Sequence, residues 1–214
     1  MEIIRLGHSS FKLQSRQGKL VTDPFNPEIT GLKFPKVEAD IVTISHLHPD
    51  HNQIHLVGGT PLVIIGPGEY EAKGIKIVGV ATFHDNNKGA DRGKNTVYRI
   101  EIDGISLVHC GDLGHKFDDK QLEILDGVDI LMIPVGGFYT IDAKLASEVV
   151  SQIEPKIIIP MHYNSSELNQ KNLSELAPID NFLKEMAKEG IVPQPKLVVS
   201  KDKLPVEPTV IALE

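Results

Sequence analysis

The sequence predicts an α/β fold in which β-sheets pack together and helices lie outside them. Short strand-like segments follow one another through the first half of the chain. The second half alternates apolar strands with helices, the clearest of which covers residues 143–153 with apolar residues at helical spacing. Strands that pass into alternating strands and helices are typical of layered α/β domains. We expect the 214 residues to form a single domain, residues 1–214.

Turn signals divide the first half into strands. The segment 15–18 is a hairpin signal, and the two prolines within residues 23–27 predict an extended loop. Residues 39–45 and 62–65 are apolar and rich in β-branched residues, which predicts buried strands. The predicted strands of this half cover residues 3–6, 11–13, 20–22, 39–45, 62–65 and 75–83.

The second half opens on a hairpin whose turn is Asp103-Gly104, between strands 97–102 and 105–108. Asp142 or Thr140 is expected to cap the helix 143–153, and Gly190 to end a later helix that begins at residue 179. The other predicted elements are a short helix at 122–125 and strands at 130–133, 156–160, 197–199 and 210–212.

A cluster of metal-binding side chains follows the predicted strand 39–45 directly. Imidazole and carboxylate groups are costly to bury unless they are paired or bound to metal. Three imidazoles and a carboxylate suit Zn²⁺, with Mn²⁺ or Fe²⁺ as alternatives. The spacing favours a metal site over a His-rich polar loop. The four groups are His46, His48, Asp50 and His51.

Further metal-binding groups follow later strands, on loops that a rigid sheet would hold. His84, the stretch from His109 to Asp112, and His162 each come after an apolar run. Successive side chains of a strand point to opposite faces, so His109 and Asp112 are expected to face opposite ways unless the chain bends at Gly111. We therefore predict that His84, Asp112 and His162 are ligands, and that His109 has a supporting role.

These residues predict a site for two divalent cations. A water shared between two cations has its pKa lowered towards neutrality, which generates a hydroxide nucleophile. The chain has one cysteine, Cys110, and no serine in a Gly-x-Ser-x-Gly elbow, so we predict hydrolysis without a side-chain nucleophile. The predicted ligands are His46, His48 and His84 for one cation, Asp50, His51 and His162 for the other, and Asp112 as the bridge.

The motifs, in this order, resemble the metallo-β-lactamase fold superfamily of metal-dependent hydrolases, over most of the chain from Leu6 to Tyr163. Residues 67–71, 93–98, 109–115 and 134–137 look like one branch, the zinc-dependent hydrolases related to ascorbate-6-phosphate lactonase and N-acylphosphatidylethanolamine phospholipase D. The resemblance implies a four-layer αββα sandwich with a dinuclear site at one edge of the paired sheets. We therefore expect a zinc hydrolase that acts on a small ester, lactone or phosphodiester.

Four further residues are candidates for supporting roles. Asp23 would accept a hydrogen bond from the outer N–H of a ligand histidine, or form a turn. His8 would face the pocket and meet substrate, or be bonded in a turn, and His8 and Asp50 are the candidate catalytic residues. Asn95 and Tyr163 are neutral donors that would orient a substrate oxygen, or else serve as a loop cap and a partly buried aromatic residue.

Composition restricts the partners. A net charge of −7 argues against a nucleic-acid partner, so we expect a small-molecule substrate. No apolar run is long enough to span a membrane, and the first residues enter a strand pattern without a signal-peptide core. The single cysteine fits a reducing compartment, so we expect a cytoplasmic protein. The sequence carries no signal for a particular oligomeric state.

Two other functions fit the same motifs. One is a redox or sulfur-handling enzyme of the same fold with mononuclear iron, and the other is a binding module that has lost catalysis. His48 stands where, by resemblance, diiron flavoproteins of this fold carry a glutamate, and the ligand set is complete. Both points favour the hydrolase. Its specificity is expected to lie in short loops such as residues 31–37 and 86–94.

Overall fold

Two large β-sheets face each other in the computed structural model, which describes all 214 residues. The strands are, in chain order, β1 Glu2–Gly7, β2 Ser10–Gln14, β3 Lys19–Thr22, β4 Val37–Glu38, β5 Ile41–Ile44, β6 Val57–Gly58, β7 Leu62–Ile65, β8 Gly68–Ala72, β9 Ile75–Phe83, β10 Lys94–Ile102, β11 Ile105–His109, β12 Ile130–Pro134, β13 Ile157–Met161, β14 Leu197–Val198 and β15 Thr209–Val210. The helices are α1 Pro27–Thr30, α2 Asp119–Ile124, α3 Ala143–Ile153 and α4 Ile179–Glu185, with 3-10 turns at Ile54–Leu56 and Lys201–Lys203.

The two large sheets are both mixed. The first has the strand order β14-β1-β2-β3-β5-β7, and the second has the order β15-β13-β12-β11-β10-β9-β8. The consecutive strands β1–β2–β3 and β9–β10–β11 are antiparallel, joined by short turns except for the loop of residues 84–93 between β9 and β10. The strand pairs reached through longer connections, β3–β5–β7 and β11–β12–β13, are parallel. A small third sheet pairs β4 with β6.

One hydrophobic core of 42 buried residues includes side chains from both large sheets, such as Phe11 from the first and Ile100 from the second. Helix α3 covers the outside of the second sheet because its buried residues lie along one face. The Asp142 carboxylate caps this helix by accepting a hydrogen bond from the Leu145 N–H at 2.8 Å. The prediction that Asp142 or Thr140 caps this helix is therefore met by Asp142.

A smaller core of seven buried residues, including Phe25 and Val42, covers the other face of the first sheet. Helix α1, a 3-10 turn, the small β4–β6 sheet and loops form this outer layer, whereas α3 and α4 contribute to the large core on the other side. The order of the layers agrees with the four-layer α/β sandwich expected from the sequence. No helix of the fold combines the length and the hydrophobicity needed to cross a membrane.

Residues 62–65 form the predicted strand, but the prediction that this strand is buried is wrong. Strand β7 lies at the end of the first sheet, where it pairs only with β5. Leu62 is 47% exposed and Ile65 is 49% exposed, whereas Ile64 is 1% exposed and belongs to the core. A continuous apolar run does not reveal that a strand stands at an edge, because the run is the same whether or not a neighbour covers it.

Other elements also differ from the prediction, among them β8, α4 and α1. Strand β8 was not predicted because Gly68–Ala72 has no apolar run. Helix α4 ends at Glu185 rather than continuing towards Gly190. Helix α1 forms where an extended loop was expected, because the Asn26 side chain accepts a hydrogen bond from the Glu28 N–H and Pro27 suits the first helical position.

Tyr98 of β10 ties the two large sheets together near the end of β5. Its hydroxyl donates to the Ile44 carbonyl oxygen at 2.8 Å and accepts from the Gly66 N–H at 2.9 Å. The Thr96 N–H donates to the Ser45 carbonyl oxygen at 2.9 Å. These contacts hold the residues that follow β5 beside the second sheet.

Candidate metal centre

The seven predicted ligands come together at one edge of the paired sheets. The loop of residues 46–51 follows β5, His84 follows β9 directly, and His162 follows β13 directly. Asp112 lies three residues beyond the end of β11. Each strand therefore delivers its polar residues to the same end of the sandwich, where loops rather than the core receive them.

The Asp112 carboxylate lies at the centre of this cluster and is 2% exposed. One oxygen, Oδ2, lies 3.1 Å from the Nε2 atoms of both His84 and His162. The other, Oδ1, lies 3.3 Å from Nε2 of His51, and Oδ2 lies 4.0 Å from Nε2 of His46. One carboxylate thus faces imidazoles that come from three different loops.

Two groups of ligand atoms lie on either side of Asp112. In each group, all the ligand atoms lie within 4.8 Å of one another. His48 is the exposed member of the cluster, whereas most of the other members are buried. The groups are His46, His48 and His84 on one side, and His8, Asp50, His51 and His162 on the other.

Asp23 holds the outer side of this cluster and is fully buried. Its Oδ2 atom lies 3.0 Å from Nδ1 of His51 and accepts a 2.6 Å hydrogen bond from the Ser45 hydroxyl. That hydroxyl oxygen lies 2.9 Å from Nδ1 of His46. Both rings are thereby fixed through Nδ1, which leaves Nε2 directed at the cluster, the usual arrangement around a bound metal. Ser45 was not predicted; its only signal is its position directly before the motif.

Several buried polar atoms of the cluster have no hydrogen-bond partner. They include Nε2 of His46, Nε2 of His51 and Oδ1 of Asp112. Burying an unsatisfied polar atom costs about 1–3 kcal/mol, so a concentration of such atoms calls for a ligand that satisfies them. Nitrogen and oxygen donors in this number suit a zinc-like divalent cation, and the residues present therefore fit the predicted metals.

The electrostatics of the cluster also suit cations. Burial alone would raise the pKa of the Asp112 carboxyl, but the nearby His162 and His51 hold that pKa well below its usual value. The pKa of His46 is lowered to about 3 by burial and by its neighbour His51. Burial would lower the pKa of His51, but Asp112 and Asp50 raise it above its usual value. At neutral pH the metal-free centre therefore offers an ionised Asp112 and a neutral His46 ring, whereas His51 must release a proton when it binds a metal.

His8 enters the cluster from the turn between β1 and β2. It is 1% exposed, its backbone is left-handed with φ 50°, and its Nε2 lies 3.4 Å from Oδ2 of Asp50. Burial and the neighbouring His162 lower the pKa of His8 to about 4. The Arg5 guanidinium donates to the His8 carbonyl oxygen at 3.2 and 3.3 Å and lies 4.8 Å from the centroid of the Tyr163 ring. His8 is therefore held in place as a neutral ring beside Asp50.

The other candidate residues take positions behind the cluster. The Asn95 side-chain amide donates to the Thr82 hydroxyl and accepts from the Asp112 N–H at 3.0 Å, so it supports the bridging residue from behind. His109 is fully buried, and its Nε2 lies 2.7 Å from the Ser9 carbonyl oxygen, outside both groups of ligand atoms. The Tyr163 ring packs under Arg5 and is not part of the cavity wall.

The backbone at Gly111 explains how Asp112 reaches the centre. Gly111 has φ 54°, and a Cβ atom there would lie 2.5 Å from the Asn95 Oδ1 atom. Only glycine fits this bend without strain. His115, three residues beyond Asp112, accepts a hydrogen bond at its Nε2 from the Phe83 N–H at 3.0 Å. It thus fixes the end of β9 directly before His84.

A cavity of about 220 Å³ opens onto the cluster. Its walls contain members of both groups and Asp112, together with apolar and polar residues from four other segments. Tyr139 closes one side by donating from its hydroxyl to the Asn172 carbonyl oxygen at 3.1 Å. The residues that line the cavity are Ile29, His48, Asp50, His84, Arg92, Asp112, Tyr139, His162, Asn172 and Leu173.

Comparison with known proteins identifies the family. Residues 2–162 match the β-lactamase superfamily domain. The chain is 31% identical over 189 residues to a UPF0173 metal-dependent hydrolase of Thermococcus onnurineus, covering 75% of this chain and 83% of the relative. It is 32% identical over 195 residues to a metal-dependent hydrolase of Thermoplasma acidophilum, covering 78% and 85%. The chain belongs to the metallo-β-lactamase superfamily, which confirms the predicted resemblance.

A solved structure from Thermotoga maritima agrees with this. It is a member of the same superfamily, proposed to be a Zn-dependent hydrolase, with 40% identity and a TM-score of 0.82. The alignment covers 100% of this chain and 98% of that one. The chain thus stands among the metal-dependent hydrolases of the superfamily, and the four-layer fold is confirmed. The narrower branch named from the sequence stays a prediction.

Proposed function

We propose that this protein is a dinuclear zinc hydrolase that acts on a small ester, lactone or phosphodiester. The observation that carries the proposal is the position of Asp112, whose two carboxylate oxygens face imidazoles from both groups of ligand atoms. A carboxylate between two groups of nitrogen ligands is the arrangement expected of a bridge between two cations. We further propose that the chain is a single domain and a cytoplasmic protein.

The proposed ligands follow the two groups of atoms. His46, His48 and His84 would hold one zinc ion. Two zinc ions, when bound, would activate water and polarise the scissile carbonyl or phosphoryl group. The second set is Asp50, His51 and His162, with Asp112 shared between the two sets.

The remaining residues of the chain would prepare the site for substrate. Asp50 lines the cavity and is partly exposed, so its carboxylate can accept a proton from water or pass one to a leaving group. His8 would orient Asp50 through the 3.4 Å contact between its Nε2 and Oδ2 of Asp50. Ile29 and Leu173 supply an apolar wall opposite the metal ligands. A cavity of this size is below the roughly 300–1,000 Å³ of a drug-sized ligand site, which favours a small substrate group.

Hydrolysis assays on purified, zinc-loaded protein test the proposal. The substrates are bis(p-nitrophenyl) phosphate, p-nitrophenyl esters and a panel of lactones. We expect activity on at least one of them and a loss of at least about 1,000-fold in the Asp112→Ala variant, because the bridging carboxylate is removed. Asp126→Ala is the matched control, because Asp126 is an exposed aspartate that belongs neither to the ligand groups nor to the cavity wall.

Elemental analysis of protein purified without added metal separates the hydrolase from the iron alternative. Two zinc or manganese ions per chain support the proposal, whereas one iron per chain supports the redox or sulfur-handling enzyme. An intact fold with neither metal uptake nor activity on any substrate class would contradict the proposal and favour a binding module.

A further inference from the structure

A cation stands at the mouth of the cavity beside the metal centre. Arg92 contributes to the wall of the 220 Å³ cavity and also to that of a neighbouring cavity of about 670 Å³. Both cavities share His84 and Tyr139 as well. A molecule that extends from the metal centre into the larger cavity must therefore pass Arg92.

The Arg92 side chain is held in place without being neutralised. Its Nη2 donates to the Phe138 carbonyl oxygen at 3.3 Å, and its Cζ lies 4.8 Å from the centroid of the Tyr139 ring and 5.7 Å from that of Phe138. No carboxylate lies within ion-pair distance of this guanidinium, although the chain's other ion pairs include Arg99 and four lysines. A guanidinium that rests on aromatic faces keeps its remaining N–H donors available.

The carboxylates of the larger cavity are occupied elsewhere. Asp85 accepts four hydrogen bonds from the backbone N–H groups of the loop that follows it, including the Arg92 N–H at 2.8 Å. Asp142 caps α3, and Glu148 pairs with a lysine. Asp91 accepts from an asparagine side chain. Asp85 thus fixes the backbone of Arg92, while none of these carboxylates forms an ion pair with the Arg92 guanidinium.

We propose that Arg92 binds an oxyanion of the substrate, a carboxylate or a phosphate monoester, which is separate from the bond that is hydrolysed. This inference rests on the proposed function and narrows its substrate class to anionic esters and lactones. A planar, preorganised guanidinium suits the two oxygens of such a group. The nearby Phe138 ring, which is 59% exposed, would cover apolar atoms of the same substrate.

The segments that form this subsite differ in part from those expected. The loop 86–94 contributes Arg92 to the cavity wall, and its part in specificity stays a prediction. The loop 31–37 does not reach the cavity; Ile29 of α1, Tyr139 and Leu173 line it instead. Phe138 takes a left-handed backbone with φ 54°, a strained conformation of the kind found at binding sites.

A matched pair of esters tests the inference in the zinc-loaded enzyme. The probes are neutral p-nitrophenyl butyrate and the anionic mono-p-nitrophenyl succinate. In Arg92→Gln we expect KM for the anionic ester to rise roughly 10- to 100-fold, because one charged hydrogen-bond donor is lost. We expect kcat for the anionic ester, and both KM and kcat for the neutral ester, to change less than threefold. Arg92→Lys is expected to restore part of the difference. Lys88→Gln, which removes a cation from an exposed position of the same loop, is the control and leaves both esters unchanged.

A binding experiment keeps the inference testable if no hydrolysis is found. The Arg92 Nε–H resonance is followed by NMR while succinate or inorganic phosphate is added to the zinc-loaded protein. A shift that saturates with one of these anions supports the subsite and identifies its source as a carboxylate or a phosphate. If neither ester is hydrolysed but such a shift is observed, the proposed function is contradicted while the anion subsite at Arg92 is supported. No shift with either anion, or equal losses on both esters in Arg92→Gln, overturns the role of Arg92.

Discussion

At the scale of single residues, the candidate centre depends on side chains that do not themselves belong to the ligand groups. Asp23 and Ser45 fix the rings of His51 and His46 through their Nδ1 atoms. The Asn95 side chain fixes the position of Asp112 by accepting a hydrogen bond from the Asp112 N–H. Such contacts fix ring orientation and raise ligand basicity, and their loss typically costs 10- to 100-fold in metal affinity or activity.

His8 provides a test at this scale. In His8→Gln we expect the affinity for one of the two zinc ions to fall about 10- to 100-fold, because Asp50 loses the ring that orients it. Competition with a chromophoric chelator measures each of the two dissociation constants. His55→Gln, at an exposed histidine near the motif, is expected to leave both constants unchanged. Equal affinities in His8→Gln and wild type would mean that His8 only packs against the site.

The sequence was informative about residues whose chemistry has no other explanation. The spacing of His46, His48 and Asp50 led to residues that the fold brings close to one another. His109 lies outside the ligand groups as expected, but β11 ends at His109, so the bend at Gly111 rather than strand alternation directs Asp112 into the centre. Ser45, His115 and Arg92 escaped prediction in these roles. A serine, a lone histidine and an arginine are common in any surface loop, so their roles depend on neighbours that only the fold supplies.

At the scale of elements, the centre depends on the contact between the two sheets where β5 and β10 meet. Tyr98 supplies this contact from a fully buried position. Its hydroxyl serves two strands of the first sheet, because it meets the Ile44 carbonyl at the end of β5 and the Gly66 N–H after β7. A polar link inside an otherwise apolar core sets the register of one sheet on the other.

Removing that hydroxyl is expected to destabilise the fold. In Tyr98→Phe we expect the free energy of unfolding to fall by about 1–3 kcal/mol, because the buried Ile44 carbonyl oxygen loses this donor and the half-buried Gly66 N–H loses its acceptor. Urea denaturation measures the change. Tyr70→Phe is the control, since the Tyr70 hydroxyl makes only long 3.3 Å contacts near the surface, and we expect it to cost less than about 0.5 kcal/mol. Equal effects of the two substitutions would show that Tyr98 does not link the sheets.

Element prediction succeeded where an element's own residues determine it and failed where its neighbours do. The Asp103-Gly104 hairpin and the core-facing helix α3 carry their signals locally. The exposure of β7 and the pairing of β8 depend on which strands lie beside them. Helix α1 carries a local signal, the cap at Asn26. The prediction missed it because the two prolines by themselves indicate an extended loop.

At the scale of the whole molecule, the candidate centre joins parts of the chain that are distant in sequence. Its ligand groups come from the loops after β5, β9, β11 and β13 and from the turn after β1. Bound cations would therefore cross-link both large sheets. Any ligand that binds the folded state alone stabilises it by RT ln(1 + [L]/Kd), which is about 4 kcal/mol at a concentration of 1,000 Kd.

Removing the metal is thus expected to lower the thermal stability of the whole fold. For a chain of this size, 4 kcal/mol corresponds to a fall in Tm on the order of 10 °C. Differential scanning calorimetry of the zinc-loaded protein, before and after dialysis against a chelator, measures it, and adding zinc back is expected to restore Tm. The same treatment of Asp112→Ala is expected to change Tm much less. A Tm that does not respond to the chelator in wild type would argue against a shared metal centre.

The most direct test is a crystal structure of the zinc-loaded protein with anomalous data collected on either side of the zinc absorption edge. We expect two anomalous peaks about 3.5–4 Å apart. The Asp112 carboxylate should lie between them, with His84 at one ion and His162 at the other, each at about 2.0–2.1 Å. A single peak, no peak, or either histidine turned away from the metal would contradict the proposal that these loops form one dinuclear centre.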